Sequence, residues 1–161
     1  MNGLSIIVPA HNHAGVVTDA LASIERALAY ARDRNSMCRG LPCDVVIVDD
    51  GSTDDVRSVV SRLRPVQSEY MIVRHDEPTN AACARNDGVA ASRGDVIFFL
   101  DADDRFLERH IYLCCEALAD PAVDFVKTSV AMVDVVHPAW EGPIANSLVI
   151  KLNEARPSEA S

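Results

Sequence analysis

Three aspartates stand directly behind an apolar run in the stretch FFLDADD, residues 98–104. Their mutual repulsion, together with the loss of hydration at the end of a buried strand, has to be compensated by water, an arginine or a metal ion. On an extended chain Asp101 and Asp103 point the same way, whereas Asp104 points elsewhere. Because Mg²⁺ and Mn²⁺ favour carboxylate oxygens plus substrate phosphates, we predict a divalent cation at Asp103 and Asp101. Acidic loops are common, so the pattern alone is a weak signal.

A second polar cluster, PAHNH (residues 9–13), follows the first apolar run. His11 offers a flat side chain at the end of a strand, against which a nucleobase can lie. The alternative is that His11 and His13 belong to an ordinary polar loop near a helix start.

The third cluster is DDGSTDD, residues 49–55. Asp50 can accept hydrogen bonds from a nucleoside at the end of a strand. The same residues also form turns, in which Ser52 or Thr53 caps a helix that begins near Asp54. We assign Asp54 and Asp55 to the helix N-terminus, where acidic residues are favourable.

Arg85 lies in an alanine-rich segment, residues 80–92, whose small side chains permit close packing. Its guanidinium can meet a diphosphate or one of the aspartates. A solvated helix face is the alternative.

These clusters are placed by the periodicity of the whole chain. Apolar, β-branched runs predict strands at residues 4–8, 45–48, 70–73 and 96–100, a β-rich stretch over 123–135 and a last strand at 147–152. Helical spacing and composition predict helices over residues 14–34, from about 54, over 80–92 and over 107–118. Alternation of the two predicts an α/β domain with a mostly parallel sheet and helices on both faces, in which the three clusters converge at the carboxyl ends of the strands.

Composition narrows the class of protein. With 161 residues, 48% hydrophobic and 24% charged, the chain suits one soluble domain, which we place at residues 1–152 with a disordered tail at 153–161. A net charge of −9 argues against nucleic acid as a partner. No window predicts a membrane helix or signal peptide, so we expect a cytoplasmic protein, with the inner face of the membrane as an alternative location. The five cysteines contain no C-x-x-C pair and are expected to be reduced.

The segments SIIVPAHN (5–12), VVIVDDGSTDD (45–55) and ACARNDGVAASRGDVIFFLDADD (82–104) together resemble the nucleotide-binding half of family 2 glycosyltransferases. The order and spacing match across residues 4–105. The resemblance implies the GT-A fold, a nucleotide-diphosphate sugar donor, often a UDP-sugar, and Mg²⁺ or Mn²⁺ at the D-x-D. It implies inverting transfer to an acceptor hydroxyl, the acceptor being a saccharide, lipid or protein.

The same resemblance assigns roles to single residues. It places Pro9, Ala10 and His11 beside the base. It also predicts that Asp50 accepts a hydrogen bond from a ring N–H of the base. Arg85 lies near the nucleotide. Asp101, with Ala102 beside it, contacts the ribose or donor sugar, and Asp103 contacts the metal.

One expected residue is missing. The family's general base is a carboxylate further along, commonly in an "ED" pair, and no acidic residue after Asp104 has such a context, so the catalytic residue is unknown. Three explanations stay open: a chain truncated at the C-terminus, a base supplied by a partner chain, or a catalytically silent binding module. A truncated sheet edge also makes a homodimer one expectation. A nucleotidyltransferase is a further alternative, although no glycine-rich triphosphate loop is present.

Overall fold

The computed structural model describes residues 1–128 and the backbone of residues 148–151. In chain order the strands are β1 Leu4–Ala10, β2 Cys43–Asp50, β3 Glu69–His75, β4 Val96–Phe99, β5 Phe125–Lys127 and β6 Leu148–Lys151. The helices are α1 Val17–Arg34, α2 Val56–Ser61, α3 Ala81–Ala91 and α4 His110–Leu118.

The strands form one mostly parallel sheet in the order β3-β2-β1-β4-β6-β5. The first four are parallel, while β6 runs antiparallel between β4 and β5. The chain passes from β1 through β2 to β3 in one direction and then returns to the other side of β1 for β4. Such a reversal opens a crevice between the carboxyl ends of the two strands concerned. The crevice therefore lies between β1 and β4.

Helices cover both faces of this sheet, because its strands are apolar on both sides. Ile6 and Val8 belong to the larger core cluster, which includes α1, α2 and α4. Ile7 belongs to the smaller cluster on the opposite face, with Ala84 of α3. The alternation along β1 thus divides the core between two helical layers, as an α/β sheet requires.

Helix α3 lies unusually close to the sheet. A Cβ on Gly88 would stand 2.3 Å from Cγ2 of Ile7, so any larger residue would push the helix away. The small side chains of α3 allow this approach, which brings Arg85 to the strand ends.

Pro9 does not end the first strand, contrary to the prediction of a strand over residues 4–8. It pairs with Val48 of β2. The N–H of Leu100 donates to the carbonyl of Ile7 (3.0 Å), so alternate residues of β1 from Ile7 onward turn their polar groups towards β4. Because β4 ends at Phe99, the missing N–H of Pro9 interrupts no pairing.

Several predicted boundaries differ from the structure. β2 and β3 extend two residues further than predicted, through Asp50 and His75. Helix α2 begins at Val56 with no side-chain cap, so the predicted cap by Ser52 or Thr53 is wrong. The backbone strand at Leu148–Lys151 matches the predicted last strand. Most of the predicted β-rich stretch and the predicted tail at 153–161 lie outside the described residues.

None of the helices that the structure describes combines the length and the apolar character needed to cross a membrane.

Candidate functional site

A cavity of about 270 Å³ opens at the carboxyl ends of β1, β2 and β4. Every residue predicted to bind donor or metal lines it: Pro9, Ala10, His11, Asp50, Arg85, Asp101, Ala102 and Asp103. His13, Ala81 and Ala84 complete the lining. Ligand sites in such sheets lie at this position, where the strand order reverses. The structure thus brings all predicted site residues together, although their individual roles remain predictions.

His11 is fixed at the rim of the cavity by its neighbours. Its Nδ1 lies 2.7 Å from the backbone carbonyl oxygen of Asp50, which can only accept, so Nδ1 carries the proton. Its Nε2 then accepts from the side-chain amide of Asn12 at 3.1 Å. The hydrogen bonds therefore specify one tautomer of His11.

Asn12 joins the loop after β1 to the loop after β2. It has a positive φ of 58°, which asparagine tolerates better than most residues. Its Oδ1 accepts from the N–H groups of Thr53 (2.8 Å) and Asp54 (3.3 Å). Asp54 returns a bond from the other side, since its Oδ2 accepts from the N–H of Ala14 at 2.8 Å. Asp54 therefore ties the two loops together just before the start of α2.

Asp49 has a structural position at the end of β2. It is fully buried, and its Oδ1 accepts from the N–H of Ser52 at 3.0 Å while Oδ2 pairs with Arg74 of β3. Gly51 follows with φ of 64°, and a Cβ there would lie 2.4 Å from the nitrogen of Pro78. Only glycine allows this turn, which fixes the segment entering α3.

Asp50, which lies between Asp49 and Gly51, faces the cavity. It is 6% exposed, and its Oδ1 accepts from Nδ1 of His75 at 2.7 Å and from the N–H and O–H groups of Thr79 at 2.9 and 2.8 Å. Burial alone would raise the pKa of Asp50, but the bonds from His75 and Thr79 outweigh it and lower the pKa below its usual value. Asp50 is therefore held ionised, as an acceptor.

The aspartates after β4 form a turn. The N–H of Asp104 donates to the carbonyl of Asp101 at 3.0 Å, so the expectation that the D-x-D lies on an extended chain is wrong. Leu100 and Ala102, on either side of Asp101, are both buried. Asp101 and Asp103 line the cavity all the same, whereas Asp104 is not among its lining residues.

Arg85 compensates part of this negative charge. Its Nη2 lies 2.5 Å from Oδ1 of Asp101, with side chains 35% and 47% exposed. Of the two partners foreseen for Arg85, a diphosphate or an aspartate, the structure shows an aspartate. Within residues 1–128, Oδ2 of Asp101 has no ion-pair partner and is available to a ligand.

The remaining charge fits a hard divalent cation. Burial, together with the charges of Asp103 and Asp101, raises the pKa of Asp104. Within residues 1–128, Asp103 has no ion-pair partner, and no group of three or more His, Cys, Asp or Glu side chains is arranged to hold a metal. Two carboxylates suit Mg²⁺ or Mn²⁺ when a substrate supplies further oxygens. The residues present therefore fit the cation that the sequence predicts.

A larger cavity, of about 390 Å³, lies at the opposite, amino-terminal ends of the strands. Its polar groups already have structural partners. Asp44 accepts from the hydroxyl of Ser5 and the N–H of Arg93, and the Arg93 guanidinium pairs with Glu69. The smaller cavity is therefore the better candidate for a ligand site.

Comparison with known proteins identifies the family of this chain. A family model described as glycosyl transferase family 2 matches residues 5–156. The chain belongs to glycosyltransferase family 2.

Two curated family 2 relatives illustrate the likeness. The succinoglycan biosynthesis protein ExoU of Rhizobium meliloti (strain 1021) is 33% identical over 134 residues, which cover 83% of this chain and 35% of that protein. The putative teichuronic acid biosynthesis glycosyltransferase TuaG of Bacillus subtilis (strain 168) is 28% identical over 103 residues, 64% of this chain and 36% of that protein. The chain thus spans about a third of the length of these relatives.

Solved structures confirm the GT-A fold of this family 2 chain. TarS of S. aureus in complex with UDP-GlcNAc superposes with a TM-score of 0.66 at 20% identity, over 86% of this chain and 37% of that chain. The mannosyltransferase PcManGT from Pyrobaculum calidifontis, in complex with GDP-Man and Mn²⁺, gives 0.65 at 26% identity, over 80% and 35%.

His75 contacts the candidate site and is a residue that the sequence did not predict there. It directly contacts Asp50 and comes from the end of β3, which the sequence placed at Val73. Had the end of β3 been predicted at His75, the expectation that ligand-site residues lie at the carboxyl ends of strands would have included it. Its cross-strand position opposite Asp50 is the signal that a charge-pairing search could have used.

Proposed function

We propose that this chain provides the donor-binding site of a glycosyltransferase that transfers a sugar from a nucleotide-diphosphate sugar, with a UDP-sugar as first candidate, to an acceptor hydroxyl. The observation that carries the proposal is the gathering of Asp50, Arg85, Asp101 and Asp103 around one cavity at the reversal of strand order. An ionised acceptor, a guanidinium and two carboxylates are complementary to a base, a diphosphate and a cation respectively.

Each end of the cavity has a different task in this proposal. His11, held by two hydrogen bonds, borders the base with Pro9 and Ala10. Asp50 accepts from a ring N–H of the base. Arg85 exchanges its contact with Asp101 for a phosphate oxygen, which frees Asp101 to bind a hydroxyl of the ribose or the donor sugar.

The cation would be held by Asp103 and Asp101. When bound, Mg²⁺ or Mn²⁺ supplies charge neutralisation for the diphosphate leaving group. The mannosyltransferase complex with GDP-Man and Mn²⁺ supports both the donor class and the cation, at 26% identity.

The reaction we propose is inverting displacement at the anomeric carbon. The acceptor oxygen forms a bond to that carbon, the bond to the diphosphate oxygen breaks, and the acceptor proton passes to a general base. Among residues 1–128, no acidic residue after Asp103 lines the cavity, so the base is not assigned to this part of the chain.

Nucleotide release tests the proposal. The chain is incubated with Mn²⁺ and a panel of UDP- and GDP-sugars, with and without candidate acceptors, and free nucleoside diphosphate is measured. Turnover that Asp103→Ala abolishes supports a transferase. Binding without turnover supports a silent donor-binding module, and pyrophosphate release from a nucleoside triphosphate would instead indicate a nucleotidyltransferase.

A further inference from the structure

In the part of the chain that the structure describes, Asp50 receives three hydrogen bonds on one carboxylate oxygen and none on the other. Oδ1 accepts from His75 Nδ1 and from both donors of Thr79. Within residues 1–128 the structure gives Oδ2 no hydrogen bond, although Asp50 lines the cavity. One oxygen is thus saturated by the protein, and the other is left to a ligand.

The ring of His75 faces a carboxylate at each nitrogen. Nδ1 lies 2.7 Å from Oδ1 of Asp50, and Nε2 lies 3.1 Å from Oδ2 of Asp87 in α3. An ionised carboxylate only accepts, so Nδ1 carries a proton in its hydrogen bond to Asp50, and Nε2 must be protonated as well to form an ion pair with Asp87. The geometry therefore selects the imidazolium form of His75.

The surroundings of His75 favour that positive charge. Its side chain is 16% exposed, against 54% for that of Asp87. β2 presents Asp50 and α3 presents Asp87. The chain neighbours of His75 are Arg74 on β3, which pairs with Asp49, and Asp76 just after the strand. The hydrogen bond to Asp50 raises the pKa of His75, and the negative charges of Asp50 and Asp87 raise it further. Burial acts in the opposite direction but does not outweigh them.

We propose that His75 is a positioning residue that fixes Asp50 as an acceptor and so selects bases with a ring N–H. The inference rests on the proposed function. Uracil and guanine present such an N–H, whereas cytosine and adenine present an unprotonated nitrogen at the corresponding position. An ionised Asp50 accepts from the first pair and is repelled by the lone pair of the second.

Loss of His75 should weaken this selection in a pH-dependent way. Without its N–H and charge, burial dominates, and the pKa of Asp50 rises. As the pH falls, Asp50 then gains a proton and can donate to cytosine. In the wild type, Asp50 stays ionised to lower pH.

Calorimetry with UDP, GDP, CDP and ADP in the presence of Mn²⁺, from pH 5 to 8, tests the proposal. We expect the wild type to prefer UDP or GDP over CDP and ADP by at least about tenfold at every pH. His75→Phe should lower affinity for the preferred nucleotide by roughly 10–100-fold. In this variant the ratio of that affinity to the affinity for CDP should become smaller towards pH 5. Metal and phosphate titrations affect UDP and CDP alike and cancel in the ratio. Protonation of cytosine N3 at low pH is common to both proteins, so the test compares how far the ratio narrows in His75→Phe and in the wild type.

Two matched variants separate positioning from folding. His75→Asn keeps an N–H near the Nδ1 position and should retain most of the preference, whereas Asp87→Asn removes only the outer carboxylate and should lie between wild type and His75→Phe. A wild type without preference, or a folded His75→Phe with the wild-type preference at all pH values, would overturn the proposal.

A ligand-free measurement keeps the inference separate from the proposed function. NMR titration should give the His75 ring of the wild type a pKa above the ordinary value of about 6.5. In Asp50→Asn and Asp87→Asn this pKa should be lower than in the wild type. An ordinary pKa in the wild type would overturn the inference even if nucleotides bind. If no nucleoside diphosphate binds, the proposed function fails and base selection fails with it, whatever the His75 titration shows.

Discussion

The guanidinium of Arg85 lies 2.5 Å from the carboxylate of Asp101, joining α3 to the turn after β4. This contact neutralises part of the negative charge of the aspartates. Within residues 1–128 Asp103 has no ion-pair partner, and we propose that it binds the cation. Both partners are partly exposed, so the pair can open when a diphosphate competes for the arginine.

Arg85→Ala should weaken UDP binding roughly 10–100-fold, because a charged hydrogen bond to the diphosphate is lost. The same change should strengthen Mn²⁺ binding without nucleotide, since Asp101 loses its competing cation. Isothermal titration of each ligand measures the two effects separately.

Arg105→Ala is the matched control for Arg85. It removes an equal charge from an exposed pair with Asp19, and neither residue is among those that line the cavity. Its UDP and Mn²⁺ affinities should stay near those of the wild type. Equal losses in both variants would show that net charge, not the position of Arg85, governs binding.

Gly88→Ala tests the close approach of α3. The added Cβ meets Ile7 at 2.3 Å, so the helix has to shift and the chain should lose about 1–3 kcal/mol of stability. Gly15→Ala meets nothing within 4 Å and should change the free energy of unfolding by no more than about 0.5 kcal/mol. Urea unfolding compares the two, and similar values would contradict the packing argument.

Replacing each of the neighbouring β2 residues Asp49 and Asp50 by asparagine should have different effects on stability and on UDP binding. Both oxygens of Asp49 have protein partners, so Asp49→Asn should lose roughly 1–3 kcal/mol; Arg74 is 40% exposed, which keeps the loss near that of hydrogen bonds. Asp50→Asn keeps an acceptor for His75 and Thr79 but places an amide where the ligand's N–H would lie.

Asp50→Asn should therefore lose less stability than Asp49→Asn and more UDP affinity, by about tenfold or more. Urea unfolding and UDP titration are measured on both variants. A loss of affinity confined to Asp49→Asn would reverse the assignment of the two residues.

Much of this site follows from short apolar runs in the sequence. The runs "IIV", "VVIV" and "VIFF" are apolar on both faces, so they predict a parallel sheet that helices cover on both sides. The residues that follow these runs therefore lie at the same edge of the sheet. Asp50, Asp101 and Asp103 could therefore be placed together without coordinates.

What the sequence did not reveal depends on contacts between distant segments. β3 continues to His75 because Arg74 and His75 lie opposite Asp49 and Asp50, a stabilisation that no local pattern of β3 shows. The turn at Asp101–Asp104 is closed by the backbone hydrogen bond from Asp104 to Asp101, which the run of acidic residues does not predict. The extension of β3 comes from tertiary pairing that overrides local preference.

The pH dependence of stability should report on His75. Its folded pKa is raised above the unfolded value of about 6.5, so its contribution is present in full below that pH and is lost as the pH rises through the folded pKa. Denaturant unfolding at several pH values should show this loss in the wild type. His75→Asn should lack it, and identical pH profiles would contradict the imidazolium assignment.

The central claim is that Asp103 holds a divalent cation for a nucleoside diphosphate, and titration of UDP with and without Mn²⁺ tests it most directly. We predict Mn²⁺-dependent binding that Asp103→Ala removes. Asp55→Ala, which deletes an equal charge at the start of α2 where no side-chain cap is made, should leave it intact. Equal UDP affinity in Mn²⁺ and in chelator, or equal binding by wild type and Asp103→Ala, would contradict the account.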